Sequence, residues 1–324
     1  MIITIVAGLI ALVLSLLFGV VYLDFLKRKL YNQPILEDAP ERHAKKSGTP
    51  TTGGVVIVLA IIIASLIALP MEQVTTTEAF LILLTLIFFT MTGFQDDMQK
   101  ITKNQNKGLS PRGKLFLQVA IAALPTLYMF LSKMTVISIA GYSLDLHWIY
   151  PLFALFVITG ASNAVNLTDG LDGLASSNCI VSFAGCAIIA LLSGNADIAI
   201  ICAATTGACL GFLYFNRHPA QVFMGDTGSL ALGGLLGTVA VMGKFELFLI
   251  FLGVIFIVET LSVILQVTSF KLTGKRIFKM SPIHHHFELL GWTENKIVLV
   301  FSVVTTLATI AGVALFYLTK VGLI

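Results

Sequence analysis

Apolar residues run through this chain in ten long stretches, each bounded by a short polar segment. A helix needs about 20 such residues to cross the hydrocarbon of a bilayer. By that rule the spans cover roughly 2–26, 52–70, 78–95, 114–132, 148–166, 174–192, 197–213, 229–243, 246–268 and 297–318. The pattern predicts an all-α polytopic membrane protein of ten transmembrane helices. One polar stretch keeps a different period. From Thr135 to Leu146, Ile137 and Ile139 alternate with Ser138 and Ala140, then Tyr142, Leu144 and Leu146 with Ser143 and Asp145. With Gly141 between the halves, this reads as a small β-hairpin near 135–146, in an outer loop. No long linker, low-complexity tract or internal repeat interrupts the chain, so residues 1–324 are expected to form a single domain.

Composition agrees with the pattern. The 324 residues are 57% hydrophobic and only 11% charged, with a mean hydropathy of +0.94. Soluble domains carry about 25% charged residues. That deficit excludes a soluble enzyme, a disordered chain and a secreted disulfide scaffold. Cys179, Cys186, Cys202 and Cys209 all lie inside two neighbouring apolar runs, where thiols act as small apolar packers. The first run lacks a basic leader and a small-residue cleavage site, and Lys27-Arg28-Lys29 follows it at once. It is expected to be a retained helix.

The charges fix an orientation. Ten crossings put both termini on one side. Of the 20 Lys and Arg residues, 17 fall on the opposite set of loops; only Lys133, Lys244 and Lys320 do not. Basic residues stay in the cytoplasm, so both termini are expected outside. The inner loops are also the longer ones and hold most of the unusual polar chemistry.

Five inner segments stand out. Lys45-Lys46-Ser47-Gly48-Thr49-Pro50-Thr51-Thr52-Gly53-Gly54 leads into the second span, and its lysines, hydroxyls and glycines suit a phosphate-bearing ligand. An ordinary positive-inside flank with hydroxyl caps would look the same. Asp96 and Asp97 close the third span, where two carboxylates are costly unless a cation or donor compensates them. Successive helical residues point about 100° apart, so one is expected to face a metal and the other to support it or bind a lysine. The stretch from Asn163 to Gly173 packs Asn163, Asn166, Asp169 and Asp172 with two glycines and no basic residue. Such groups can read a base or sugar, although an Asx-rich turn has a similar composition. In the fourth segment, Asn216 and Phe223 precede Gly225-Asp226-Thr227-Gly228-Ser229. Asp226 can bind metal, cap the following helix, or do both. Ser229, Gly233 and Gly237 recur every four residues, as a close-packing face does. The fifth is His284-His285-His286, whose side chains diverge too far for a three-His zinc site and suit phosphate contact better. Glu259 lies mid-span in the ninth run, where an ionisable group is expensive. It can satisfy a helix break or line a groove for a lipid tail.

These segments converge on one face. Hard oxygen ligands point to Mg²⁺ more than zinc, and magnesium with basic residues describes phosphoryl transfer from a nucleotide. The motifs Asp96-Asp97, Asn166-Leu-Thr-Asp169-Gly-Leu-Asp172-Gly173, Phe223-Met-Gly-Asp226-Thr-Gly-Ser229 and Pro282-Ile-His284-His285-His286-Phe287 resemble those of the polyprenyl-phosphate N-acetylhexosamine-1-phosphate transferases. Within that superfamily the chain is most similar to the phospho-N-acetylmuramoyl-pentapeptide-transferase branch, over essentially its whole length.

The resemblance implies that UDP-MurNAc-pentapeptide enters from the cytoplasm and undecaprenyl phosphate from the bilayer. The expected products are the first lipid intermediate of peptidoglycan synthesis (lipid I) and UMP. It further implies a Mg²⁺ cofactor, a homodimer and the bacterial inner membrane, with the active site facing the cytoplasm. The residue roles it suggests are Asp226 as principal metal ligand, Asp97 as ligand or base, and Asp96 in support. Lys46 and Thr51 contact the nucleotide or its phosphates. Asn166, Asp169, Asp172, Asn216 and Phe223 form the uridine pocket; His284 and His285 hold the pyrophosphate. Asp169 and Asp172 share a face if their segment is helical.

Three other readings remain open at this level. A sister enzyme would take UDP-N-acetylglucosamine. A nucleotide or sugar transporter would place its site at the midplane on broken helices, whereas these acids lie at the inner edge. An intramembrane aspartyl protease would need two carboxylates sharing a proton, without magnesium or lysines.

Overall fold

The computed structural model describes residues 1–29, 48–74, 76–103 and 108–323. Within them, long helices occupy all ten predicted positions: α1 (Ile2–Lys29), α2 (Gly54–Met71), α3 (Thr77–Lys103), α4 (Pro111–Leu131), α5 (Tyr150–Thr168), α6 (Leu174–Ser193), α7 (Ala196–Asn216), α8 (Gly225–Gly243), α10 (Val254–Thr273) and α12 (Glu294–Lys320). Two short helices, α9 (Leu249–Leu252) and α11 (Ile283–Leu289), complete the α-helical set among the described residues, beside 3-10 turns at His147–Ile149 and Glu246–Phe248. Local chemistry sets several starts. Ser110 accepts the Gly113 N–H ahead of Pro111 at the head of α4, and Thr293 accepts the Lys296 N–H at the head of α12.

Among the described residues nine helices are long and apolar enough to cross a membrane; α8, at the eighth of the ten predicted spans, is not one of them. Its glycines and Asp226 lower its hydropathy, yet it is the most enclosed of them all. Eighteen of its 19 residues are buried, and the exception is Asp226. Helices α2, α3, α4 and α5 pack around it. The small-residue stripe performs as expected. A Cβ at Gly233 would come within 2.4 Å of the Ala161 carbonyl, and one at Gly237 within 2.6 Å of the Ile158 Cα. Only glycine lets α8 and α5 approach this closely. A second group of contacts joins α1 to α7 and α2, and α6 to α7 and α12.

Two boundaries differ from the hydropathy pattern. Helix α3 continues to Lys103, past the end of its apolar run at 95, because backbone hydrogen bonding does not stop where hydrocarbon does. An Asp96–Lys100 ion pair of 2.7 Å, one turn apart, supports the extension, and Lys100 and Lys103 complement its C-terminal dipole. The ninth predicted helix is broken at Gly253 between α9 and α10. A continuous apolar run cannot signal such a break.

The hairpin forms as expected. Strands β1 (Val136–Ile139) and β2 (Tyr142–Asp145) pair antiparallel, with Ile139 opposite Tyr142. Ala140 and Gly141 both take positive φ, 49° and 77°, as a two-residue turn demands. Ile137 and Ile139 pack against the bundle core.

Candidate active site

The site grows from the place where α3 meets the head of α8. Gly93 lies directly against the Asp226 carbonyl, where an added Cβ would come within 2.0 Å of that oxygen. That approach carries Asp97, one turn further along α3, over the end of α8. Its Oδ1 accepts the Asp226 N–H at 3.1 Å, and its Oδ2 accepts the Thr227 N–H at 2.9 Å and the Thr227 hydroxyl at 2.6 Å. Asp97 therefore caps α8 from a neighbouring helix. This corrects the capping role considered for Asp226, whose own carboxylate is left for other partners.

Those partners are cationic and amide donors. Asp226 Oδ2 lies 2.5 Å from Lys114 Nζ and 3.0 Å from Lys100 Nζ, and Oδ1 accepts Asn166 Nδ2 at 2.8 Å. Lys100 also pairs with Asp96, whose Oδ1 accepts the Leu109 N–H at 2.8 Å. Carboxylate oxygens of Asp96, Asp97 and Asp226 all lie within 4.8 Å of one another. Adjacent positions on α3 thus both reach one centre, although they serve it differently: Asp96 meets the lysine side and Asp97 the helix end. Three carboxyl groups face two ammonium groups. The donor set is all oxygen, and Asp96 Oδ2 is buried with Lys100 Nζ as its ion-pair partner at 2.7 Å. Such a group fits a hard divalent cation.

The phosphate loop is arranged differently from the sequence expectation. The Gly53 and Gly54 N–H groups donate to the Phe223 and Met224 carbonyls at 2.9 Å each, and the Phe223 N–H donates to Pro50 O at 2.8 Å. The glycines stitch this segment to the head of α8, so their amides are taken by the chain itself. Thr51 is buried in the same seam. Its Oγ1 has no hydrogen-bond partner and lies near the Gly225 backbone, beside Asp97. Lys46 lies outside the described residues.

The α5–α6 turn holds the next group. Helix α5 ends at Thr168, Asp169 is its C-cap, and α6 starts at Leu174. The condition under which Asp169 and Asp172 would share a helical face is therefore not met. Asp172 turns inward, and its Oδ2 accepts the His218 Nδ1–H at 2.8 Å and the Ala220 N–H at 3.1 Å. Glu294, at the head of α12, accepts the Asp172 N–H at 3.3 Å and lies 3.6 Å from His218 Nδ1. Asn216 is buried, and both its side-chain polar atoms are hydrogen-bonded. It accepts from Gly173 N and Ser176 Oγ, and donates to Val222 O. It organises the turn and the 217–222 loop. Phe223 is half-buried beside it. Asn166 belongs with the carboxylates, not with this turn, since it also donates to Ser229 Oγ at 2.8 Å.

The three histidines on α11 take separate partners, although the His284 and His285 rings stay in contact, 4.1 Å between centroids. His284 Nδ1 lies 3.0 Å from Glu259, His285 Nδ1 lies 2.7 Å from Glu288, and His286 Nδ1 accepts the Lys279 N–H. Sequence reasoning passed over Lys100, Lys114, His218 and Glu294. Lys100 was legible as the i+4 partner of Asp96, had the helix been carried past its apolar end. Lys114, His218 and Glu294 join only through tertiary contacts.

Comparisons agree with the motifs. A family model described as glycosyl transferase family 4 matches residues 79–244. A phospho-N-acetylmuramoyl-pentapeptide-transferase of Geobacillus kaustophilus is 48% identical over 311 residues, covering 95% of each chain. The Bacillus subtilis strain 168 protein of the same name is 46% identical over 308 residues, covering 94% of this chain and 95% of its own. The Geobacillus thermodenitrificans protein is 44% identical over 317 residues, covering 96% and 97%.

Proposed function

The chain belongs to the phospho-N-acetylmuramoyl-pentapeptide-transferase family, and from that we propose that it transfers phospho-MurNAc-pentapeptide from its UDP donor to undecaprenyl phosphate at the Asp96–Asp97–Asp226 centre. The products are lipid I and UMP. The observation that carries this placement is Asp226, the one unburied residue of α8, held between Lys100, Lys114 and Asn166.

Asp226, Asp97 and Asp96 would hold Mg²⁺. When bound, the ion supplies charge neutralisation on the pyrophosphate oxygens and stabilises the leaving UMP. The residues do the rest. Lys100 and Lys114 are placed to meet phosphoryl oxygens as these reach the carboxylates. Thr51 lies at the same seam, and Lys46 would contact the nucleotide or its phosphates. Asp169, Asp172 and Phe223 face the nucleoside end, with Asn216 and His218 setting the turn that presents Asp172. His284 and His285 contact the donor's pyrophosphate.

The lipid phosphate has a second pKa near about 6, so it is largely dianionic at neutral pH and needs orientation more than deprotonation. Asp97 accepts three hydrogen bonds, which weakens it as a nucleophile and supports direct attack over a phosphorylated aspartate. Trapping a phosphorylated Asp97 during turnover would overturn that preference. The site faces the cytoplasm of the bacterial inner membrane, where the 17 basic residues gather, and the enzyme works as a homodimer.

The test is purified protein given both substrates, with and without Mg²⁺, following UMP. Mg²⁺-dependent UMP is expected with UDP-MurNAc-pentapeptide. Its absence defeats the reading, and a preference for UDP-N-acetylglucosamine would move the chain to the sister specificity.

A further inference from the structure

Glu259 and His284 form a sealed pair below the inner surface of the bundle. Their side chains are 0% and 1% exposed, and His284 Nδ1 lies 3.0 Å from Glu259 Oε1. Glu259 sits on α10 just after the break at Gly253, and His284 opens α11. A carboxylate buried this deeply is costly unless a donor meets it. The imidazole supplies that donor, and the contact fixes the ring: Nδ1–H donates to the carboxylate, leaving Nε2 as the working end. That Nε2 is buried and has no hydrogen-bond partner within the chain. It is aimed at Gly170 in the α5–α6 turn, where an added Cβ would come within 2.3 Å of it. The chain has a glycine where a histidine nitrogen presses on the turn between Asp169 and Asp172.

We propose that Glu259 is a positioning residue for the transfer, acting through His284, which it orients and charges so that Nε2–H meets a phosphoryl oxygen of the nucleotide donor. The proposal rests on the transferase reading above. A phosphoryl oxygen is the ligand chemistry that suits this nitrogen, because a proton on Nε2 makes an imidazolium whose charge Glu259 balances from the opposite side. The chain Glu259–His284–phosphate then carries alternating charge through a dry site. Other titratable groups on the surrounding elements are His285, with its ring centroid 4.1 Å away, Glu288 beyond it, Asp169 and Asp172 beside Gly170, and Glu294 on α12.

Two measurements on the full-length protein in nanodiscs test it. With ¹⁵N-labelled histidine, and His284 assigned by its loss in His284→Ala, adding UDP should convert the Nε2 resonance from a lone-pair to an N–H nitrogen. Glu259→Gln should abolish that conversion. In kinetics, Glu259→Gln should lower kcat/KM for the UDP donor by about tenfold or more, as loss of a group that orients a functional histidine does. KM for undecaprenyl phosphate should not change. The double variant Glu259→Gln/His284→Ala should be no worse than His284→Ala alone. Additive losses, a change confined to the lipid substrate, or an Nε2 indifferent to UDP would each overturn the proposal. If Glu259→Gln does not fold, Glu259→Asp keeps the charge and should retain the conversion with reduced turnover. Absence of UMP from the wild type would instead sink the transferase reading, while the nitrogen shifts still judge the pair.

Discussion

Asp97 on α3 accepts the backbone N–H groups of Asp226 and Thr227 and so terminates a helix to which it does not belong. One carboxylate thereby joins the geometry of the reacting centre to the stability of α8. Asp97→Asn leaves one oxygen for three donors. We expect a destabilisation of about 1–2 kcal/mol, in the range of a lost cap. A melting curve in detergent, with turnover measured in parallel, checks it; unchanged stability would refute the cap.

Asp226→Asn should behave in the opposite way. Its carboxylate holds Lys100 and Lys114 but does not support the helix backbone. We expect normal insertion and a near-wild-type melting temperature, with UMP release reduced by at least about 100-fold, as for loss of a principal electrostatic group. Wild-type activity in this variant would end the assignment of Asp226.

The two lysines should separate. Lys100 pairs with both Asp96 and Asp226, whereas Lys114 pairs with Asp226 alone. Lys100→Met removes the one ion-pair partner of Asp96 among the described residues and should impair both folding and kcat. Lys114→Met should leave the melting temperature in place and lower kcat/KM for the nucleotide. Equal effects on stability would show that the centre does not distinguish them.

Asn216 tests whether a motif residue must touch substrate. Its three hydrogen bonds run to Gly173, Ser176 and Val222. Asn216→Ala should lower stability by about 1–3 kcal/mol through unsatisfied buried partners. Saturating UDP should restore little of that loss. A variant as stable as wild type but with a raised KM for the donor would instead put Asn216 in direct contact with it.

Much of this was legible in the sequence. Apolar run length gave ten helices, alternation gave the hairpin, and four-residue spacing gave the face of α8 that meets α5. Sequence spacing also brought out the acids, but not their division of labour. Nothing along the chain says that Asp97 caps a helix 128 residues away while Asp226 does not cap its own. Nor can spacing show that the Gly53 and Gly54 amides are consumed by the 223–224 backbone, or that Glu259 finds its partner in His284. Each of these depends on which helices become neighbours, and hydropathy is blind to neighbours.

Helix α8 has a consequence for assembly. A segment with six glycines and an aspartate is a poor candidate to enter a bilayer by itself, yet here every residue but Asp226 is covered by protein. Its shelter is built by α2, α3, α4 and α5, all of which precede it in the chain. The carboxylate centre should therefore come into being only after those walls stand. An insertion assay on α8 alone, set against α8 following residues 1–216, reads this directly: poor entry in the first and efficient entry in the second. The order of synthesis would then act as a safeguard, since no half-built bundle could display the three acids together.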